Sequence, residues 1–101
     1  MSMREFAQTW SSIATSGGQA ALQVSGDVLE SQWSFQASTG VSTMTARVQS
    51  AINSSGPWFT EAENTAVSSG TLAVLRLTGP FAFVRPWANS TGVTIRGIGV
   101  S

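Results

Sequence analysis

The chain has no cysteine, histidine, lysine or tyrosine, and each absence removes a class of chemistry. Without cysteine no disulfide staples the fold and no thiolate nucleophile exists, and the redox compartment is left open. Without histidine the usual proton carrier near neutral pH is missing. A serine nucleophile would have neither imidazole nor amine to activate it, and no Gly-x-Ser-x-Gly elbow occurs. Zinc sites draw mainly on His and Cys. Neither standard glycine-rich phosphate loop is present. These absences predict a non-enzymatic chain with no catalytic residues, no cofactor and no metal.

Charge is scarce as well. Five basic and five acidic residues make up 10% of the chain and give zero net charge, whereas a soluble domain usually carries about 25% charged residues. Arginine supplies all the positive charge, at Arg4, Arg47, Arg76, Arg85 and Arg96. Phosphate binding needs a basic patch, and scattered arginines matched by acids do not make one, so no nucleic-acid partner is expected. No apolar run approaches the roughly 20 residues that span a bilayer, so no membrane partner is expected. The opening MSMREFAQTW lacks an apolar secretory core, which predicts synthesis in the cytoplasm. Two carboxylate sets remain, Glu61 with Glu63 and Asp27 with Glu30. Such pairs serve glycosidases or calcium sites, but 101 residues do not build a glycosidase cleft. They read as solvated acids. The sequons at Asn53 and Asn89 read as turn residues.

Ser and Thr stand in for the missing charges. Hydroxyls cost less to desolvate than ammonium or carboxylate groups, so the surface is easier to bury against a partner. Arginine without lysine points the same way, since interfaces enrich the first and deplete the second.

Along the chain, short alternating runs are broken by Gly, Ser, Asn and Pro. Residues 1–16 read as an N-terminal strand or arm, and 17–101 as one β-sandwich domain. Residues 19–25 predict a short strand. In residues 30–37, Trp33, Phe35 and Ala37 share one face, with Gln32, Ser34 and Gln36 opposite. In residues 41–52, Met44, Ala46, Val48 and Ile52 are expected to share the inner face. The stretch 53–57, Asn-Ser-Ser-Gly-Pro, predicts a loop. The polar residues that follow, to 69, predict more loop, with room for one short edge strand. Three strands are expected over 70–77, 80–87 and 92–100. Val93 and Ile95 point one way and Ile98 and Val100 the other, which predicts a bulge near Gly97. The result is an all-β chain: an antiparallel β-sandwich or small jelly-roll of about seven strands, with turn signals every 8–12 residues or so. Its edges lack the lysines that usually block strand pairing, so Gly and Pro must guard them or an oligomer must cover them.

Four tryptophans remain to be placed. Trp33 reads as core. Trp58 follows a Gly-Pro turn beside Phe59, and a tryptophan in a loop is a favoured interface anchor. Trp87 lies at a strand end beside Arg85, and Trp10 lies in the terminal segment. The candidate interface residues are therefore Trp58, Phe59, Trp10, Arg85 and Trp87. Trp58 and Trp87 together would also suit a sugar-stacking platform, so a carbohydrate-binding module is the alternative.

Residues 48–64, VQSAINSSGPWFTEAEN, run from a strand through a glycine-containing hairpin into an aromatic pair. Residues 79–101, GPFAFVRPWANSTGVTIRGIGVS, place an aromatic-x-aromatic-Val-Arg strand before a glycine-rich final hairpin. In these features, over about half its length, the chain resembles small virion proteins of tailed bacteriophages, the head decoration or cement proteins. The resemblance implies a β-sandwich that attaches to a capsid lattice without catalysis. Its partners would be the major capsid protein or other virion subunits, and its form a homo-oligomer, with a trimer favoured. The implied location is the virion, after synthesis in the host cytoplasm. A tail or fibre subunit fits the same features.

Overall fold

The alternation in the sequence is realised as two antiparallel sheets packed face to face. The computed structural model describes residues 5–23, 30–38, 43–78 and 82–100. Arg4, Asp27, Phe81 and the turns expected at Thr39-Gly40 and Gly79-Pro80 lie outside the described residues. The strands are β1 (Glu5–Trp10), β2 (Gly17–Gly18), β3 (Leu22–Gln23), β4 (Glu30–Ala37), β5 (Met44–Ala51), β6 (Phe59–Val67), β7 (Leu72–Thr78), β8 (Phe83–Ala88) and β9 (Val93–Val100). One sheet has the order β1-β9-β4-β7. The other has the order β2-β8-β5-β6, with β3 also on β8. If β2 and β3 are counted as one interrupted strand, each sheet has four. Counted so, among the described strands the β5–β6 hairpin stays within a sheet, and the other consecutive pairs lie in opposite sheets. That order is the jelly roll, the double-sheet solution for eight strands.

The core lies between the sheets. Trp33, Phe35 and Ala37 of β4 meet Met44, Ala46 and Val48 of β5, with Val84 and Ala88 of β8, Leu75 and Leu77 of β7, and Val93 and Ile95 of β9. Each large apolar side chain so buried contributes about 1.5–3 kcal/mol. Ile13, in the loop after β1, closes one end: its N–H donates to Val93 O at 3.0 Å, and its carbonyl accepts from Gly92 N at 2.9 Å.

Several expectations need correction. Ile52 is not in the core; it is 82% exposed, because β5 ends at Ala51 and the chain has already turned. The polar stretch after residue 58 is not mainly loop. It forms β6, nine residues long. The expected strand over 19–25 is reduced to the two-residue β3 within the described residues. No bulge occurs at Gly97. The register of β9 with β4 runs unbroken from Val93↔Ala37 to Val100↔Glu30, and Gly97 faces inward directly opposite Trp33. A Cβ there would lie 2.5 Å from the indole, so the glycine makes room for the ring. Ile98 simply occupies the outer face.

The edges of the two sheets differ. In β6 the register shifts twice against β5, between Met44 and Ala46 and between Val48 and Gln49; each shift inserts an extra residue into β6. On the opposite edge, Pro86 explains the break between β2 and β3. Pro86 O accepts from Gln19 N at 2.9 Å, so that side of Pro86 faces the β2–β3 edge. In an extended strand the N–H points the same way as the carbonyl, and proline has none to give. The ladder therefore lapses between Gly18↔Trp87 and Leu22↔Val84.

Candidate functional site

Burial of Val84, Pro86 and Ala88 turns the alternate residues of β8 outward, so Phe83, Arg85 and Trp87 stand half-buried on the outer face of the five-stranded sheet. Strand β5 likewise presents Thr45 and Arg47. Cross-strand register then brings unlike side chains together. Arg47 lies opposite Trp87 on one side and Glu63 of β6 on the other. Its guanidinium carbon is 4.4 Å from the centroid of the Trp87 ring, and its Nε pairs with Glu63. One register step along, Gln49 faces Arg85, whose Nε donates to Gln49 Oε1 at 2.8 Å. The Arg85 guanidinium lies 4.4 Å from the Trp58 ring centroid. Partial burial lowers the pKa of Arg85 from its ordinary value by disfavouring the charged form; a guanidinium nonetheless stays protonated in proteins.

Two glycines shape this face. At Gly18 a Cβ would lie 2.4 Å from the Arg85 guanidinium carbon, so the bare backbone of β2 is the floor on which the arginine rests. At Gly56, with φ +87°, a Cβ would lie 2.8 Å from Trp58 Cδ1. The loop needs glycine there both for its backbone and for the ring beside it.

The structure thus gathers Trp58, Arg85 and Trp87 on one sheet face, with Phe59 at its margin. Phe59 opens β6 opposite Ser50 and is 61% exposed. Ile52 stands at the same hairpin end, so three large apolar residues mark that tip. Trp10 does not join them. It lies on β1 in the other sheet and packs on Trp33, with ring centroids 5.8 Å apart and planes inclined by 31°. Sequence reasoning missed Arg47, Gln49 and Gly18, because their roles depend on register. The sequon asparagine Asn89 clasps β5: its Oδ1 accepts from Thr45 N at 2.8 Å. Ser50 Oγ donates to Glu61 at 2.6 Å, so Glu61 and Glu63 serve separate partners.

The stacked pairs contribute about 0.5–1 kcal/mol each at exposed sites, and the surface ion pair about 0.2–1 kcal/mol. Those values are small beside the core. The face presents aromatic surface and pre-positioned arginine donors, the residue types that dominate protein interfaces. A groove of about 340 Å³ opens on the four-stranded sheet beside Glu30, Gln32, Arg76 and Ile98. With its Oε1 turned toward Arg76, Gln32 accepts from Nη2 at 3.0 Å and Nε at 3.1 Å. Among the described residues no group of three or more His, Cys, Asp or Glu is placed to hold a metal ion.

No protein-family model matches the chain, and no curated protein matches its sequence. Solved structures share the jelly-roll fold that the strand order defines. Over 99% of its length the chain is similar to PBSX exported protein XepA, at TM-score 0.62 and 13% identity, covering 37% of that protein. It is similar along its full length to the SPBc2 prophage-derived protein YomS, at TM-score 0.60 and 18% identity, covering 96% of that chain. Over 98% of its length it is similar to a Bacillus endospore appendage subunit, from a family described as disulfide-linked pili, at TM-score 0.59 and 13% identity, covering 84% of that chain. At these identities the likeness establishes the fold.

Proposed function

We propose that this chain is a non-enzymatic structural subunit of a phage-type virion or a related appendage, and that in its most specific form it decorates and stabilises a capsid lattice. The observation that carries the reading is the outer face of the five-stranded sheet, where Trp58, Arg85, Arg47 and Trp87 stand ready-paired on a surface otherwise poor in charge. Arginine already stacked on an indole and hydrogen-bonded to Gln49 loses little freedom on docking, which lowers the cost of association. Lattice attachment repeats the same contact many times, so a modest contact per subunit suffices. Fold likeness to a prophage-derived protein, an exported protein and a pilus subunit supports the same reading. With no cysteine, the chain itself contributes no disulfide to an assembly. A sugar platform is less well supported, because a guanidinium already covers one face of each candidate indole.

The test is fractionation of particles released by the source culture. In this reading the protein co-sediments with density-purified particles at a stoichiometry matching their lattice, and head and tail fractions tell a decoration role from a tail role. Recovery solely as free protein would overturn it. Trp58→Ala should release the protein from particles while costing the fold less than about 2 kcal/mol, because Trp58 is only half-buried; a fully buried Trp truncated to Ala costs about 3–5 kcal/mol. A Trp58→Ala chain that fails to fold would place this residue in the core instead.

A further inference from the structure

We infer that copies of this chain join edge to edge through the four-stranded sheet, the β7 edge of one copy pairing with the β1 edge of the next. The inference deepens the structural-subunit reading and rests on it for its biological setting; the contact itself is argued from the edges.

The four sheet edges are unequal. In the five-stranded sheet, β6 is doubly bulged and the β2–β3 edge is broken opposite Pro86, the devices that keep edges from pairing. The four-stranded sheet has neither device. Its β1 edge keeps an unbroken register with β9 over six residue pairs, and its β7 edge keeps one with β4 over seven. Neither strand contains proline, glycine or lysine. The single charged residue of β7, Arg76, is tied back to Gln32 of its own sheet. Among the described residues no strand pairs with the outer edge of β7, and Leu72 and Val74 on that strand are 62% and 39% exposed.

Direction and length select the partner. β1 is antiparallel to β9, β9 to β4, and β4 to β7, so β1 and β7 run in opposite directions. A second copy set alongside by lateral displacement therefore presents its β1 antiparallel to β7, the pairing already used throughout this sheet. The strands are six and seven residues long, about 20 Å each. On the inner face, Ala73, Leu75 and Leu77 would meet the row of β1 that holds exposed Gln8 and half-buried Trp10, and would cover that indole further. On the outer face, Leu72 and Val74 would meet Ala7 and Thr9, and each row carries one charged residue, of opposite sign, Arg76 in β7 and Glu5 in β1. A two-fold β7–β7 contact would leave the Trp10 side open, whereas the head-to-tail contact covers both edges. Because it joins two different surfaces it does not stop at two copies; it closes into a ring or extends as a filament, according to the rotation between copies.

Sedimentation velocity over a concentration series tests this, with two edge-blocked variants. Leu72→Lys with Val74→Lys charges the β7 edge, and Ala7→Lys with Thr9→Lys charges the β1 edge; all four positions are exposed, so circular dichroism should show both folded. The unmodified chain should climb beyond twice its monomer mass of 10.5 kDa. Each blocked variant alone should stay monomeric, and an equimolar mixture should stop at a one-to-one dimer, since only one intact β7 and one intact β1 edge remain. An unmodified chain that stays monomeric throughout overturns the inference, even if the protein is found on particles. Dimerisation of the β1-blocked variant alone overturns the head-to-tail arrangement in favour of β7–β7 pairing. If a blocked variant fails to fold, the series on the unmodified chain still decides whether copies associate.

Discussion

Replacing Gly97 by alanine should destabilise the domain by about 2 kcal/mol, and the estimate follows from the crowding around one ring. The added methyl would lie 2.5 Å from Cζ3, 2.6 Å from Cε3 and 2.9 Å from Cη2 of Trp33, whereas carbon atoms in contact rest at roughly 3.5–4.0 Å. Neither side yields easily. Trp33 is fully buried, its Nε1 donates to Ser31 Oγ at 3.1 Å, and Trp10 packs on it. Gly97 lies in a strand paired on both sides, with Gln8 and with Trp33. Overpacking of this kind costs about 1–3 kcal/mol. Alanine recovers about 0.5–1 kcal/mol, because glycine loses more chain freedom on folding. Taking the upper end of the cost leaves the net loss near 2 kcal/mol, which in a domain of this size lowers the melting temperature by about 8 °C or more. Urea unfolding followed by tryptophan fluorescence measures it. The Trp33→Phe background sharpens the test, since it removes the six-membered indole ring that the methyl would strike. There Gly97→Ala should be close to neutral, giving a coupling of about 1–2 kcal/mol in the double-mutant cycle. A Gly97→Ala protein as stable as the parent would refute the close approach and return the glycine to a backbone role.

Gly18→Ala places a methyl where the Arg85 guanidinium rests; because that group ends a flexible chain, the fold should lose less than about 1 kcal/mol, while Trp58 emission changes as its cation moves away. An unchanged spectrum would count against the stack. Arg47→Ala removes both the Glu63 pair and the cation over Trp87 and should cost about 1 kcal/mol, with the ion-pair share fading at high salt; a loss above about 3 kcal/mol would mean that the arginine supports the core. Ile52→Ser should change the urea midpoint by no more than the equivalent of about 0.5 kcal/mol, and a core-sized loss would show the side chain to be buried after all.

What could be read from the chain depended on whether a residue's role was local. The inner faces of β4 and of β5 as far as Val48 were legible because period-two alternation is written in consecutive residues. β6 was hidden because Thr60, Glu61, Glu63, Asn64 and Thr65 give an edge strand no apolar face, and its two extra residues break what alternation remains. Ile52 misled because apolar residues past a strand end look like the next inward position. At Gly97, a glycine inside a strand signals either a bulge or a close neighbour, and only the register with Trp33 decides. The candidate surface was half legible for the same reason: aromatics after a turn announce themselves, but Arg47 opposite Trp87 and Gln49 opposite Arg85 are facts of alignment between strands far apart in sequence.

Pro86 also governs how firmly the arginine and tryptophan face is held. Beside it, β2 and β3 contribute two residues each to the ladder, with the Gln19 bond to Pro86 O between them. Short edge pairings open at a small fraction of the global unfolding free energy, so amide exchange should be fastest in Gly17–Gln23 among the paired segments, and far slower in β4 and β5. Gly18 belongs to that loosely held piece and forms the floor beneath Arg85. When it breathes, Arg85 gains room to swing away from Trp58 while the sandwich stays closed. Arg47, seated between β8 and β6, has no such freedom. The face therefore combines an arginine of fixed position with one whose position can adapt to what docks there.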